Sequence, residues 1–256
     1  MKSIKIDLSE ELAGIEIHTF ADLHLGDKHC DTTSIEERIE YVKNTENAFA
    51  ILNGDLMNNA LKTSVSDIYS EQLTPMQEME RCVELFKPIK DKILCITTGN
   101  HERRTHNGAG IDLMQIVAKE LGLEEKFASI GAVLFIRFGW NKARKRKHWY
   151  SVYVTHGSGG GRKEGAKATR LADMASIVDC DIYIHSHTHL PMIMKQGFFR
   201  TDFVNSNVAF VDKLFVNTSA SLNYDGYGQM YEFKPSSKDC PVIYLNGLKK
   251  QFTAKL

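Results

Sequence analysis

Thr98-Gly99-Asn100-His101-Glu102 stands directly behind the apolar run Ile93-Leu94-Cys95-Ile96. A buried strand that ends in Gly-Asn-His aims polar side chains at something. Asparagine offers a neutral oxygen ligand, histidine a nitrogen ligand or a proton donor, and glycine lets the backbone turn tightly enough to present both. Four other strand-like runs end the same way. Ile15 to Phe20 alternates like a half-buried strand and runs into Asp22 and His24; Phe49 to Leu52 reaches Asp55; Trp149 to Thr155 reaches His156; and Asp181 to Ile184 reaches His185-Ser186-His187-Thr188-His189.

Helical patterns separate these strands. One is expected from Ser34 to Asn47. Another starts at the capping box Thr74-Pro75-Met76-Gln77, carries Met76, Met79, Val83 and Phe86 as a core-facing stripe, and stops at Pro88. A short helix over Asp112 to Leu121 is closed by Gly122, and a further one is expected from Lys163 to Val178. Ala132 to Phe138 and Trp149 to Thr155 read as a hairpin whose tip is basic across Lys142 to His148. Residues 191–256 look β-rich, with 214–216 and 242–245 as the clearest strands and no comparable polar cluster. Without an internal repeat or linker, the expectation is one domain over 1–256, with the site motifs inside 15–190.

The composition is that of a globular protein, with 43% hydrophobic and 25% charged residues. Lys+Arg and Asp+Glu are both 32, so no overall field draws the chain to nucleic acid or an anionic membrane, and any such attraction must be local. Cys30, Cys82, Cys95, Cys180 and Cys240 are odd in number and form no Cys-x-x-Cys pair. That usage fits thiols in a reducing cytosol and speaks against a disulfide framework or zinc ribbon. The first residues carry acids where a signal peptide needs apolar ones, and no run approaches the ~20 apolar residues of a membrane span. A cytoplasmic protein with no membrane partner is expected.

The carboxyl ends of strands in open α/β sheets are where ligands bind, so the five strand ends are expected to share one crevice. Two carboxylates, an amide and up to five imidazoles make a mixed oxygen and nitrogen set. Such a set suits two divalent metals at ~3.5–4 Å separation, a geometry used in phosphoryl displacement.

Asp22-x-His24, Gly54-Asp55, Gly99-Asn100-His101-Glu102, Thr155-His156-Gly157 and His187-x-His189, in this order, resemble the five blocks of the calcineurin-like metallophosphoesterase superfamily. The resemblance implies an α/β fold, a four-layer αββα sandwich with two mixed β-sheets. It implies that Asp22, His24 and His189 hold one metal, that Asn100, His156 and His187 hold the other, and that Asp55 bridges them. His101 would stay unligated as the catalytic acid, and a hydroxide bridging the metals would be the nucleophile. Manganese is the first choice of ion, with iron, zinc, nickel or magnesium also compatible.

Two blocks depart from the pattern, with Ser186 where glycine is usual and Asn58 where an acid is common. The Asp-Arg-Gly extension of serine/threonine protein phosphatases is missing, which argues against a phosphoprotein substrate. In its Ala21 context the first block resembles the SbcD-like nuclease branch, which tilts the expected substrate toward phosphodiesters, including nucleic acid. Arg103, Arg104 and Arg162 are candidates for contact with substrate phosphate, and Glu102 and His185 for support of the ligands. His18, His29, His106 and His148 read as structural.

Gly160 to Thr169 nearly spells a phosphate-binding loop, but Ala166 stands where lysine is needed. The basic tip, with Trp140, Trp149 and Tyr150, offers a nucleic-acid grip, against the plainer reading of a solvated edge. The rival functions are a phosphomonoesterase or nucleotide phosphatase, a non-catalytic metal-binding scaffold, and a nucleic-acid-binding module with structural metals.

Overall fold

The computed structural model describes residues 1–256 except 63, 65–67, 162, 226 and 231. Its strands are β1 (Lys2–Asp7), β2 (Gly14–Phe20), β3 (Ala48–Asn53), β4 (Ile93–Thr97), β5 (Phe127–Ala128), β6 (Gly131–Asn141), β7 (Arg146–Thr155), β8 (Ile182–His185), β9 (Met192–Asp202), β10 (Asn207–Asn217), β11 (Val242–Asn246) and β12 (Phe252–Lys255). The main helices are α1 (Thr32–Asn44), α2 (Pro75–Phe86), α3 (Asn100–Ala109), α4 (Leu113–Glu120) and α5 (Glu164–Asp173).

One sheet has the order β12-β11-β2-β3-β4-β5 and the other β1-β6-β7-β8-β10-β9. Both are mixed. β2, β3, β4 and β5 pair in parallel, with β11 antiparallel to β2. In the second sheet β7, β8 and β10 are parallel, while β6 and β9 join it antiparallel to β7 and β10.

Three apolar clusters mark the contacts between four layers. Phe20 and Leu52 meet Ile35, Phe86 and Val117 of α1, α2 and α4. Ile17 and Ile51 meet Leu134, Val152 and Ile184 between the sheets. Tyr183 and Phe215 meet Leu171 of α5 on the outer face of the second sheet. This is the αββα sandwich expected from the motifs. Strand β3, covered on both faces, is accordingly a continuous apolar run that carries no alternation.

Several local expectations are corrected. In α2, Met76 is 58% exposed and Glu78 is fully buried, so the inner stripe runs through Met79, Cys82 and Phe86 instead. The polar stretch after Gly99 continues as helix α3, whose single buried residue is Glu102, so it carries no apolar period to read. The expected helix to Val178 ends at Asp173 and passes into a single 3-10 turn. β1, β9 and β12 were not legible as strands. In β1 only Ile4 and Ile6 face the core.

Candidate metal centre

Five strand ends from the two sheets meet at one edge of the sandwich. Asp22, His24, Asp55 and His156 are buried there, while His187 and His189 are half-buried and Asn100 is exposed. Ligand atoms of Asp22, His24 and His189 lie within 4.8 Å of one another, as do those of Asp55, His156 and His187, and those of His24, Asp55 and His101. Asn100 Oδ1 is 3.2 Å from His156 Nε2, which puts the amide with the second group. His24 and Asp55 each belong to two of the three groups, and the group they share with His101 links the first set to the second.

The backbone is bent to achieve this. Asp22, His24, Asp55, His187 and His189 all adopt left-handed φ, between 49° and 65°. Each such residue stores about 1–3 kcal/mol of strain, which the surrounding structure must hold. The restraint comes from neighbouring blocks: Asp22 N–H donates to Gly54 O at 3.1 Å, Leu23 N–H to Asp55 O at 2.8 Å and Ser186 N–H to His156 O at 3.0 Å. Gly54 and Gly99 lie back to back, and a Cβ on Gly99 would enter Asp55. Glycine is needed there for close approach of the second block to the third.

Both carboxylates divide their oxygens in the same way. Asp22 Oδ2 accepts from His187 N–H at 3.0 Å, and Asp55 Oδ1 accepts from His101 N–H at 2.8 Å. The other oxygens face inward. Asp22 Oδ1 is buried and receives no hydrogen bond, with His189 Nε2 3.2 Å away; Asp55 Oδ2 is 3.2 Å from His156 Nε2. His24 Nε2 and His189 Nε2 are 3.4 Å apart, two nitrogens converging on one point. His156 Nδ1 lies 2.7 Å from Asn53 O, and donation there leaves Nε2 as the inward lone pair.

The two buried carboxylates draw positive charge toward the centre. Burial alone would depress His156, yet Asp55 and Asp22 outweigh it and hold that imidazole up to about 10. His187 is pushed down to about 4, first by burial and then by His156. A set that gathers positive charge between two buried carboxylates, with imidazole nitrogens aimed inward beside them, has the donor chemistry of a divalent-cation site.

His101 is held differently. Its Nδ1 is 2.7 Å from the Asn58 carbonyl, and its Nε2, 3.8 Å from Asp55 Oδ2, lies 3.0 Å from Arg104 Nη2. The proton therefore rests on Nδ1, with Nε2 accepting from arginine. Arg104 Nη1 also donates to the Asn58 carbonyl at 3.1 Å. Arg103 turns away and donates to Ser129 O at 2.7 Å, and Arg162 lies outside the described residues.

Glu102 ties the second and third blocks together. Its carboxylate accepts from Leu56, Met57, Asp55 and Gly99 N–H at 2.7–3.1 Å, and burial, then Asp55, raises it to about 7. His185 stands outside the three groups, its Nδ1 2.8 Å from Asn217 Oδ1 and its ring against Gly157. Ser186, in place of the usual glycine, accepts from Asn53 Nδ2 at 2.7 Å and bonds Thr218 Oγ1 at 2.8 Å.

Asn53, Asn59 and Glu78 were missed from the sequence. Asn53 also donates to Thr155 O at 2.9 Å, linking the two sheets. Asn59 donates to His101 O at 2.6 Å, and Glu78 Oε2 accepts from Asn59 N–H at 2.7 Å. The available signal was their place beside Gly54-Asp55, and, for Glu78, a carboxylate on the inner stripe of α2.

Residues 20–191 match the model of the calcineurin-like phosphoesterase family. The chain belongs to that family, a class of metal-dependent phosphoesterases. No curated protein matches it in sequence. Among solved structures it is similar to a conserved protein and predicted phosphoesterase from Streptococcus pneumoniae, at 12% identity and a TM-score of 0.38, over 95% of this chain and 99% of that one. It is also similar to a single mutant of Vps29 from Entamoeba histolytica, at 10% identity and a TM-score of 0.41, over 94% and 97%. No helix among the described residues is long and apolar enough to cross a membrane.

Proposed function

We propose that this chain is a dinuclear metal-dependent phosphodiesterase, with nucleic acid within its substrate range. The observation that carries the reading is the pair of adjoining Asp/His groups, linked where His24 of one lies beside Asp55 of the other, each with a carboxylate oxygen turned inward. Asp22, His24 and His189 would hold one ion, Asn100, His156 and His187 the other, and Asp55 both. Two divalent ions, manganese foremost, would supply an acidified water and a clamp for the oxygens of an in-line displacement.

The protein's own part is proton handling and orientation. His101 is fixed through Nδ1 and so presents Nε2 alone to a leaving oxygen. Arg104 holds that nitrogen at rest. A substrate phosphoryl oxygen that engages the guanidinium would release Nε2, which must take up a proton before it can give one to the leaving group. With Arg103 turned to Ser129, Arg104 is the arginine of this pair beside the centre. Five free thiols, three of them buried, support a reducing, cytoplasmic setting.

Full-length protein reloaded with manganese is expected to hydrolyse bis-nitrophenyl phosphate faster than the nitrophenyl monoester. A reversed preference would favour the phosphomonoesterase reading, and no turnover of either would leave a metal-binding scaffold.

A further inference from the structure

The hairpin β6–β7 is set apart from the rest of the chain by charge. Residues 131–155 hold six cations, Arg137, Lys142, Arg144, Lys145, Arg146 and Lys147, and no acid, in a protein whose charges cancel overall. Arg137 and Lys147 share the carboxylate of Asp7 on β1. Among the described residues no carboxylate lies within ion-pair distance of Lys142, Arg144, Lys145 or Arg146, with Asp202 the acid near enough to Arg144 to feel its charge, and all four cations are exposed.

The face beside this tip is aromatic. Leu134, Ile136, Tyr150 and Val152 point into the core between the sheets, so Phe135, Arg137 and Trp149 point outward. Nearer the metal centre the same outer face is covered by α5, through Val133 and Tyr153; beyond them it is bare. Phe135 and Trp149 are 37% and 43% exposed, and the Arg137 guanidinium lies 5.4 Å from the Trp149 ring. Arg137 pairs with Trp149 and Phe135 with Ser151, which makes Phe135 and Trp149 diagonal neighbours on the face, with backbones about 7–8 Å apart.

We infer that this outer face of β1, β6 and β7, with the tip 142–146, is a binding surface for single-stranded nucleic acid. Exposed rings give bases a sequence-tolerant stacking platform, and the unpaired cations give the backbone its phosphate contacts. A duplex keeps its bases stacked on one another and cannot use the rings. Tyr150 is no part of the platform, because it is buried and its hydroxyl donates to Asn246 O at 2.6 Å. The surface stands apart from the reading of the metal centre: β7 runs ten residues from the tip to Thr155, about 33 Å.

The test uses full-length protein in chelator, a fluorescent 20-nucleotide oligothymidylate, and anisotropy across a salt series. Affinity is expected to fall linearly on logarithmic axes. Replacing Lys142, Arg144, Lys145 and Arg146 by alanine should weaken binding and flatten the slope by about 0.7 for each phosphate contact removed. Trp149→Ala should cost about tenfold or more with the slope unchanged, and Trp149→Phe should recover most of it. Both hairpin variants should melt near wild type and turn over nitrophenyl substrates normally, so that failure here and failure of the metal centre are separate results. Binding that ignores salt, a tip variant that binds as tightly as wild type, a Trp149→Ala effect below twofold, or a duplex bound as well as the single strand would each overturn the inference.

Discussion

At Thr155, strand β7 delivers His156 into a centre where buried charges are matched by a neighbour and the backbone is bent to match them. At Arg146 the same strand begins in a tip where Lys142, Arg144, Lys145 and Arg146 stand in solvent, with no ion pair to any of them among the described residues. Burial makes the difference. At the centre, two carboxylates out of water hold an imidazole up to about 10, whereas at the tip solvent and salt screen like charges that sit side by side. The centre depends on geometry, so single atoms matter there; the tip depends on accumulated charge, so no single residue should.

Asp55→Asn breaks the comparison most severely. It keeps the shape and removes the shared charge, and is expected to lose bound metal by elemental analysis and turnover by more than about 10⁴-fold, beyond the loss of one proton-transfer group. His101→Ala should keep the metal and lose about 10²–10⁴-fold in turnover; loss of metal instead would make His101 a ligand. Glu102→Gln leaves backbone N–H groups of the second and third blocks facing an amide. A loss of about 10–100-fold in activity, with a lower melting temperature, is expected.

Glu78 tests burial without function. Its Oε1 has no hydrogen-bond partner among the described residues, and burial raises the carboxyl to about 8 from an ordinary 4.5. The folded chain therefore keeps this proton longer than the unfolded one. The stability it contributes is present below pH 4.5 and is lost as pH rises through about 8. Denaturant melts of Glu78→Gln should show a variant that gains on wild type over that window, by about 1–3 kcal/mol. The smallest effect is expected at the tip, where the four alanine replacements should change stability by no more than about 0.5 kcal/mol each.

The five strand ends were readable as one cluster because each sets an Asp, Asn or His directly behind an apolar strand. Asp22-x-His24 and His187-x-His189 keep their meaning in one dimension. What supports them was less visible. Glu102 was legible as a partner because it sits one residue from His101, but three of its four N–H bonds reach back to the second block. Asn53 and Asn59 look like ordinary turn residues. Met76 and Glu78 exchanged their expected places because the face of α2 over the sheet is set by where the helix docks, which apolar spacing fixes only to within a residue or two.

By itself the sequence determined the set of inward-facing donors, their order along the chain, the parallel strands that present them and the family they mark. It did so because each donor lies within a few residues of the apolar strand that carries it. Only the tertiary structure decided which oxygen of each aspartate faces inward, that Arg104 and not Arg103 meets His101, and that Phe135 and Trp149 share an uncovered face beside the basic tip. Those facts depend on contacts between segments far apart in the chain, whose register and covering layers no local pattern encodes.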